Sequence, residues 1–142
     1  MGKKRVAQKE GGEETVKETQ KAVKPSKVVE RGRIYIFSSY NNTIMSLTDE
    51  QGNTLSQVSA GAIGFKGTKK STPFAASRVA ETLYNAAKAR GMQKIELFVK
   101  GVGTGRDSAL RAFGAKDLEI LSVRDVTPVP HNGPRARKVR RV

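Results

Sequence analysis

The sequence has no cysteine, no tryptophan and a single histidine, His131. Without cysteine there can be no disulfide, no thiolate nucleophile and no cysteine-ligated zinc or iron–sulfur site. One histidine cannot build a His-rich metal site, and any Ser-His-Asp triad would hang on that residue alone. No run of about 18 apolar residues occurs, so nothing reads as a membrane span. The opening MGKKRVAQKE has basic residues but no apolar core behind them, so it does not read as a secretory signal. Val6 stands where a myristoylation motif needs Ser or Thr. Acidic residues are scarce as well: 13 Asp and Glu face 27 Lys and Arg, a formal charge of +14. Such a balance suits a nucleic-acid partner, and the composition suits a cytosolic protein.

The 142 residues are enough for one domain with a modest core, and the charge divides them into three zones. Residues 1–33 hold ten basic and five acidic residues and few large apolar ones. Residues 1–27 are therefore expected to be a disordered N-terminal extension, unable to bury enough surface to offset chain entropy. Residues 28–123 hold nearly all the periodic apolar pattern and form the expected core domain. Residues 124–142 hold six basic residues and one acidic, the densest charge in the chain, and read as an extended basic RNA-binding tail.

Within the core, GRIYIFSSYNN reads as a strand with Ile34, Ile36 and Ser38 on one face. TIMSLTDE follows after a tight turn at Asn41–Asn42, and TLSQVSAG after a second turn at Gly52–Asn53. Thr72 and Pro73 open a helix in which Ala75, Val79, Leu83 and Ala86 or Ala87 recur at helical spacing, and Gly91 closes it. QKIELFVKG is a fourth strand, GVGTGRDS a glycine loop, ALRAFGAK a short helix with Leu110 and Phe113 inward, and LEILSVRDV a fifth strand. The order is β-β-β-α-β-α-β. Right-handed crossovers place the last two strands parallel to the first. The expected fold is a mixed five-stranded sheet with helices on its faces.

Two glycine loops invite comparison with nucleotide-binding motifs. In SAGAIGFKGTKKSTPFAAS a P-loop would need glycine five residues after Gly61 or Gly64, but Lys66 and Lys69 stand there. The single-cofactor spacing fails. What remains is a set of glycines, the cations Lys66, Lys69 and Lys70, and a helix start at Thr72, all suited to phosphate. The second loop is Gly101-x-Gly103-x-Gly105, not G-x-G-x-x-G, and is followed by Arg106. Asp107 is expected to cap that helix or to partner Arg106. Two such loops on one small domain suit a ligand with many phosphates.

The strand order is also that of ribonuclease-H-like nucleases, whose two-metal chemistry needs converging carboxylates, the first on strand one. RIYIFSSYN has none, and the other core acids do not obviously converge. A catalytic site and a metal site are therefore not expected, and no cofactor is implied. The tail DVTPVPHNGPRARKVRRV carries Pro128, Pro130 and Pro134, which favour an extended path. Arg135, Arg137, Lys138, Arg140 and Arg141 follow with no acid among them, and can clamp RNA phosphates. Arg124 begins this segment. His131 reads as a loop histidine or one that stacks on RNA. The Asn132–Gly133 pair is open to slow isoaspartate formation, because the unhindered glycine N–H can attack the asparagine amide. Tyr35, Phe37 and Tyr40 lie on or after the first strand, without an evident sheet-wide stacking platform. Recognition of folded RNA by shape and backbone is the expectation.

FSSYNNTI, SAGAIGFKGTKKSTPFAA, VKGVGTGRDSALRAF and VRDVTPVPHNG with a basic end resemble the small-subunit ribosomal protein S11 family in its bacterial form, over about residues 28–142. The resemblance implies a three-layer α/β/α ribonuclease-H-like fold and a non-enzymatic place in the cytoplasmic ribosome. It further implies binding to ribosomal RNA on the small-subunit platform, bridging several RNA helices. The messenger-RNA exit side and the Shine–Dalgarno cleft would lie beside it, with the platform protein numbered eighteen and the exit-site protein numbered seven as neighbours. No membrane is implied. RNA-facing positions carried over by the motifs are Asn41, Asn42, Lys66, Lys69, Lys70, Arg106, His131, Asn132, Gly133 and the basic tail. The chain departs from the family at Gln57, where tryptophan is frequent, and at Lys69, commonly arginine. It departs again after Asn-Gly, where Pro134, Ala136 and Arg137 replace a cysteine and two prolines and Val139 interrupts the bases.

Overall fold

The structure, a computed structural model, describes residues 28–139. The expected N-terminal extension, and Arg140 and Arg141 of the tail, lie outside the described residues. The strands are β1 (Arg31–Ser38), β2 (Thr43–Asp49), β3 (Thr54–Ser59), β4 (Lys94–Lys100) and β5 (Glu119–Asp125); the helices are α1 (Pro73–Ala89) and α2 (Gly105–Gly114). They form one mixed sheet in the order β3-β2-β1-β4-β5. The first three strands make an antiparallel meander, while β4 runs parallel to β1 and β5 parallel to β4. This is the α/β order and strand sense that the sequence implies.

Alternation decides which side of the sheet is buried. Ile34, Ile36 and Ser38 of β1 are fully covered, as are Met45 and Leu47 of β2 and Ile95, Leu97 and Val99 of β4. They join one core with the inward face of α1, which is Ala75, Ala76, Val79, Ala80, Leu83, Tyr84 and Ala87, and with Ala109 and Phe113 of α2. The many alanines let α1 lie close to the sheet. Thr72 caps α1 by accepting a hydrogen bond from the Ala75 N–H at 3.3 Å, and Gly91, at φ +75°, turns the chain out. Both helices lie over the face carrying Ile34 and Leu47. On the other face, Arg33, Tyr35 and Phe37 of β1 project where no described helix covers them.

The structure differs locally from the sequence reading at two places. A 3-10 turn at Gly67–Ser71 precedes Thr72 inside the first glycine segment. In addition, α2 starts at Gly105, within the second glycine loop, rather than at Ala109. A β-carbon at Gly105 would stand 2.9 Å from Ala76 Cβ, so only glycine lets this turn of α2 press on α1.

Candidate nucleic-acid interface

Strand directions gather the candidate residues at one end of the molecule. β1 and β4 run toward that end and finish at Ser38 and Lys100; β5 follows them to Asp125. The antiparallel β2 begins there at Thr43, and β3 returns there to Ser59. The Asn41–Asn42 turn, the lysine segment, the Gly101–Gly105 loop and the root of the tail therefore share one rim. This is the carboxyl end of the parallel strands, the usual place for ligands on open α/β sheets.

Each loop is held by its own anchors. Ser39 and Asn42 bond reciprocally across the first turn, and the Asn42 side chain accepts from the Thr43 N–H at 2.9 Å. Asn42 thus shapes the turn while Asn41 stands exposed. Ala60 is buried, and its carbonyl accepts from the Phe65 N–H at 3.2 Å. Phe65 packs edge-on against Phe74, ring centres 6.0 Å apart. Between these anchors and Thr72 the 3-10 turn carries the cations outward: Lys66 and Lys69 are exposed, Lys70 half-buried. None of the three has an ion pair among the described residues. Their charge is therefore available to an outside anion.

The second glycine loop differs from its sequence reading. A β-carbon on Gly101 would meet the Ser38 carbonyl oxygen at 2.1 Å, and one on Gly103 the Ser39 carbonyl oxygen at 2.3 Å. These glycines are packed under the β1–β2 turn, with the Gly103 N–H bonded to the Ser38 carbonyl at 3.0 Å. They serve a protein–protein contact within the fold, not the close approach of a phosphate. Thr104 donates to the Ser71 carbonyl at 2.8 Å, tying this loop to the lysine segment.

Arg106 reaches back from α2 to the Gly101 carbonyl at 3.1 Å and to the carboxylate of Asp125. Its partner is therefore Asp125 and not Asp107, because neighbouring residues on a helix diverge. Asp107 stays exposed in the first turn of α2, where a negative charge suits the helix dipole. Asp125 also accepts from the Thr127 N–H at 2.9 Å and from the Thr127 hydroxyl at 2.6 Å. Thr127 in turn accepts from the Gly101 N–H at 3.1 Å. The Thr127 hydroxyl, and then the Arg106 guanidinium, hold the Asp125 carboxyl well below the usual carboxylate range. This clasp fixes where the tail leaves the sheet. Its central acid was legible only as one charge in the tail, and Arg106 only as a loop cation.

Beyond Thr127 the described residues of the tail form no helix or strand. Asn132 adopts φ +53°, and Gly133 folds over Pro130, making a bend at His131–Gly133. Arg135, Arg137 and Lys138 are exposed and without an ion pair among the described residues. Arg124 stands apart from this group: it lies in β5, with its guanidinium 5.9 Å from the centre of the Phe98 ring. Lys100, not singled out in the sequence, is exposed at the end of β4, its ammonium 6.0 Å from the centre of the Phe37 ring. Among the described residues no three Asp, Glu or His side chains gather as a metal site.

Residues 32–141 match the family model described as "Ribosomal protein S11". The chain is also similar to the small ribosomal subunit protein uS11 of Treponema pallidum, in two strains of which one is the Nichols strain. In each case 51% of 119 residues are identical, spanning 84% of this chain and 94% of the relative. By these matches the chain belongs to the ribosomal protein S11 family, and it is a structural protein of the small ribosomal subunit, not an enzyme.

Proposed function

We propose that the chain binds ribosomal RNA on the platform of the small subunit, using the rim just described to bridge several RNA helices. The observation that carries this reading is the gathering of unpaired cations. Lys66, Lys69 and Lys70 stand on one ordered loop, and the tail with Arg135, Arg137 and Lys138 leaves from the same edge. A rigid cluster and an extended arm can hold phosphates on separate strands at once, which a single nucleotide site cannot use. Asn41 and the bend at His131, Asn132 and Gly133 offer polar groups beside them, and Arg124 lies one strand register below. Arg106 serves the same end indirectly, by aiming the tail. In this placement the messenger-RNA exit and the Shine–Dalgarno cleft adjoin the rim, with the proteins numbered eighteen and seven nearby.

Sedimentation of cell extract through a sucrose gradient tests the assignment. The chain is expected in the small-subunit and whole-ribosome fractions, and to shift to the top of the gradient when Lys66, Lys69 and Lys70 are changed to Ala and residues 134–142 removed together. The intact chain sedimenting away from small subunits would defeat it.

A further inference from the structure

The sheet face left open by the helices carries an ordered row of side chains. Cα partners run from Gln57 on β3 to Ser46 on β2, Tyr35 on β1, Phe98 on β4 and Arg124 on β5. Tyr35 and Phe98 stack with ring centres 5.0 Å apart at 17° between planes, and Arg124 covers the far side of Phe98. The near side of Tyr35 faces Ser46, a small residue, and no other described ring lies against it. One row toward the rim stands Phe37, 42% exposed, with Lys100 beside it. Tyr35 and Phe37 are two residues apart on one strand, so about 7 Å separates them. Three aromatics on two adjacent central strands form a contiguous patch, which single exposed rings do not.

The charges around the patch indicate what it takes. Lys100 and Arg124 touch only rings and have no acid partner among the described residues. The acids on the strands of this face are already paired, Glu96 with Arg33 at 3.3 Å and Glu119 with Lys94 at 3.5 Å. Flat rings with free cations at their margin match a chain of flat bases on a polyanion.

We propose that this face binds unpaired RNA, with one base entering over Ser46 to stack on Tyr35 and the next stacking on Phe37. Lys100 and Arg124 hold the phosphates, and the strand continues from the basic rim above. The proposal rests on the RNA-binding reading but adds a second mode, in which bases rather than backbone are gripped. It also revises the expectation that no stacking platform is present: the ring that completes one, Phe98, comes from a strand more than sixty residues away in sequence.

The test uses the full chain, a fluorescein-labelled ten-nucleotide oligouridylate and a folded fragment of small-subunit ribosomal RNA, each titrated over a range of salt. The variant is Tyr35→Leu with Phe37→Leu, which keeps exposed apolar strand residues and removes the rings. Its affinity for the oligouridylate is expected to fall by roughly tenfold or more per ring. The salt slope should hold, since the phosphate contacts remain, and folded-RNA binding through the rim should change little. Upfield shifts of the Tyr35 ring protons on adding oligouridylate to the unaltered chain would mark stacking directly. Equal oligouridylate affinity in chain and variant, or no such binding by a chain that still holds the folded fragment, overturns this inference alone. Failure of the unaltered chain to bind either RNA overturns the function proposed above as well. A variant that binds both RNAs normally but is depleted from small subunits assigns the face to a protein neighbour, and also overturns it.

Discussion

Replacing Gly103 by Ala should destabilise the fold, although two effects oppose each other. Gly103 does not have a positive φ, so alanine suffers no backbone strain there. Fewer unfolded conformations would then stabilise the variant by about 0.4–1 kcal/mol. Against this, the new methyl would stand 2.3 Å from the Ser39 carbonyl oxygen and 2.4 Å from Ser38 Oγ, far inside ordinary contact. Overpacking costs about 1–3 kcal/mol, and backbone cannot rotate aside, which places this site at the upper end. The bond from the Gly103 N–H to the Ser38 carbonyl would lengthen too, adding up to about 1 kcal/mol. The steric side wins by roughly 2–3 kcal/mol, a fall of about 10 °C in Tm for a domain of this size. Gly114→Ala is the control: nothing lies within 4 Å of its β-carbon, so Tm should hold or rise slightly. Thermal melts by circular dichroism read both, with RNA affinity measured well below the transition. An unchanged Tm with weakened RNA binding at Gly103 would refute the packing argument and return the loop to phosphate binding.

Further outcomes follow from the rim. Changing Lys66, Lys69 and Lys70 together to Ala should weaken RNA binding while leaving Tm and the circular-dichroism spectrum near those of the unaltered chain, because none pairs with an acid among the described residues; loss of the folded spectrum would show them to be structural. Deleting residues 134–142 removes five cations and should flatten the salt dependence of log affinity by about 3–5 if each meets a phosphate, at roughly 0.7–0.9 per contact. An unchanged slope would mean that the tail is solvated. The depressed Asp125 carboxyl gives the clasp a pH dependence: its contribution is complete above about pH 4, the ordinary carboxylate range, and fades as pH falls toward the lower folded value. Protection of the Gly101 and Thr127 amides, measured against their intrinsic exchange rates at each pH, should therefore fall on acidification, and Asp125→Asn should abolish that pH response; protection insensitive to both would remove the clasp.

The helix Pro73–Ala89, bounded by Thr72 and Gly91, and the three-strand meander were legible because their signals are local. A cap, a periodic apolar face and two tight turns each lie within one element. The parallel placement of β4 and β5 followed from crossover handedness. What could not be read was any relation set by tertiary contact. Gly101 and Gly103 have the same composition as phosphate loops, and only the approach of Ser38 and Ser39 shows that the space is already filled. Arg106 and Asp125 lie nineteen residues apart and meet because β5 runs parallel to β4 and ends beside the start of α2. The Tyr35–Phe98 stack was hidden for the same reason, since half of it resides in a strand that reads simply as core.

The Gly101 loop is also expected to be completed late in folding. The β1–β2–β3 meander closes by short turns and can form early, whereas β4 and β5 wait on long crossovers and their larger loop entropies. Asp125, Thr127 and Arg106 meet only after β5 has docked. A chain stalled at the meander stage carries every cation of the tail but no fixed point from which to aim it. Pulsed hydrogen exchange should find the Gly101 amide protected in the last folding phase, after the strand amides of β1 and β2; protection in the first phase would contradict this order. On the RNA-binding reading proposed above, the tail would therefore be aimed only in a chain that has completed its fold.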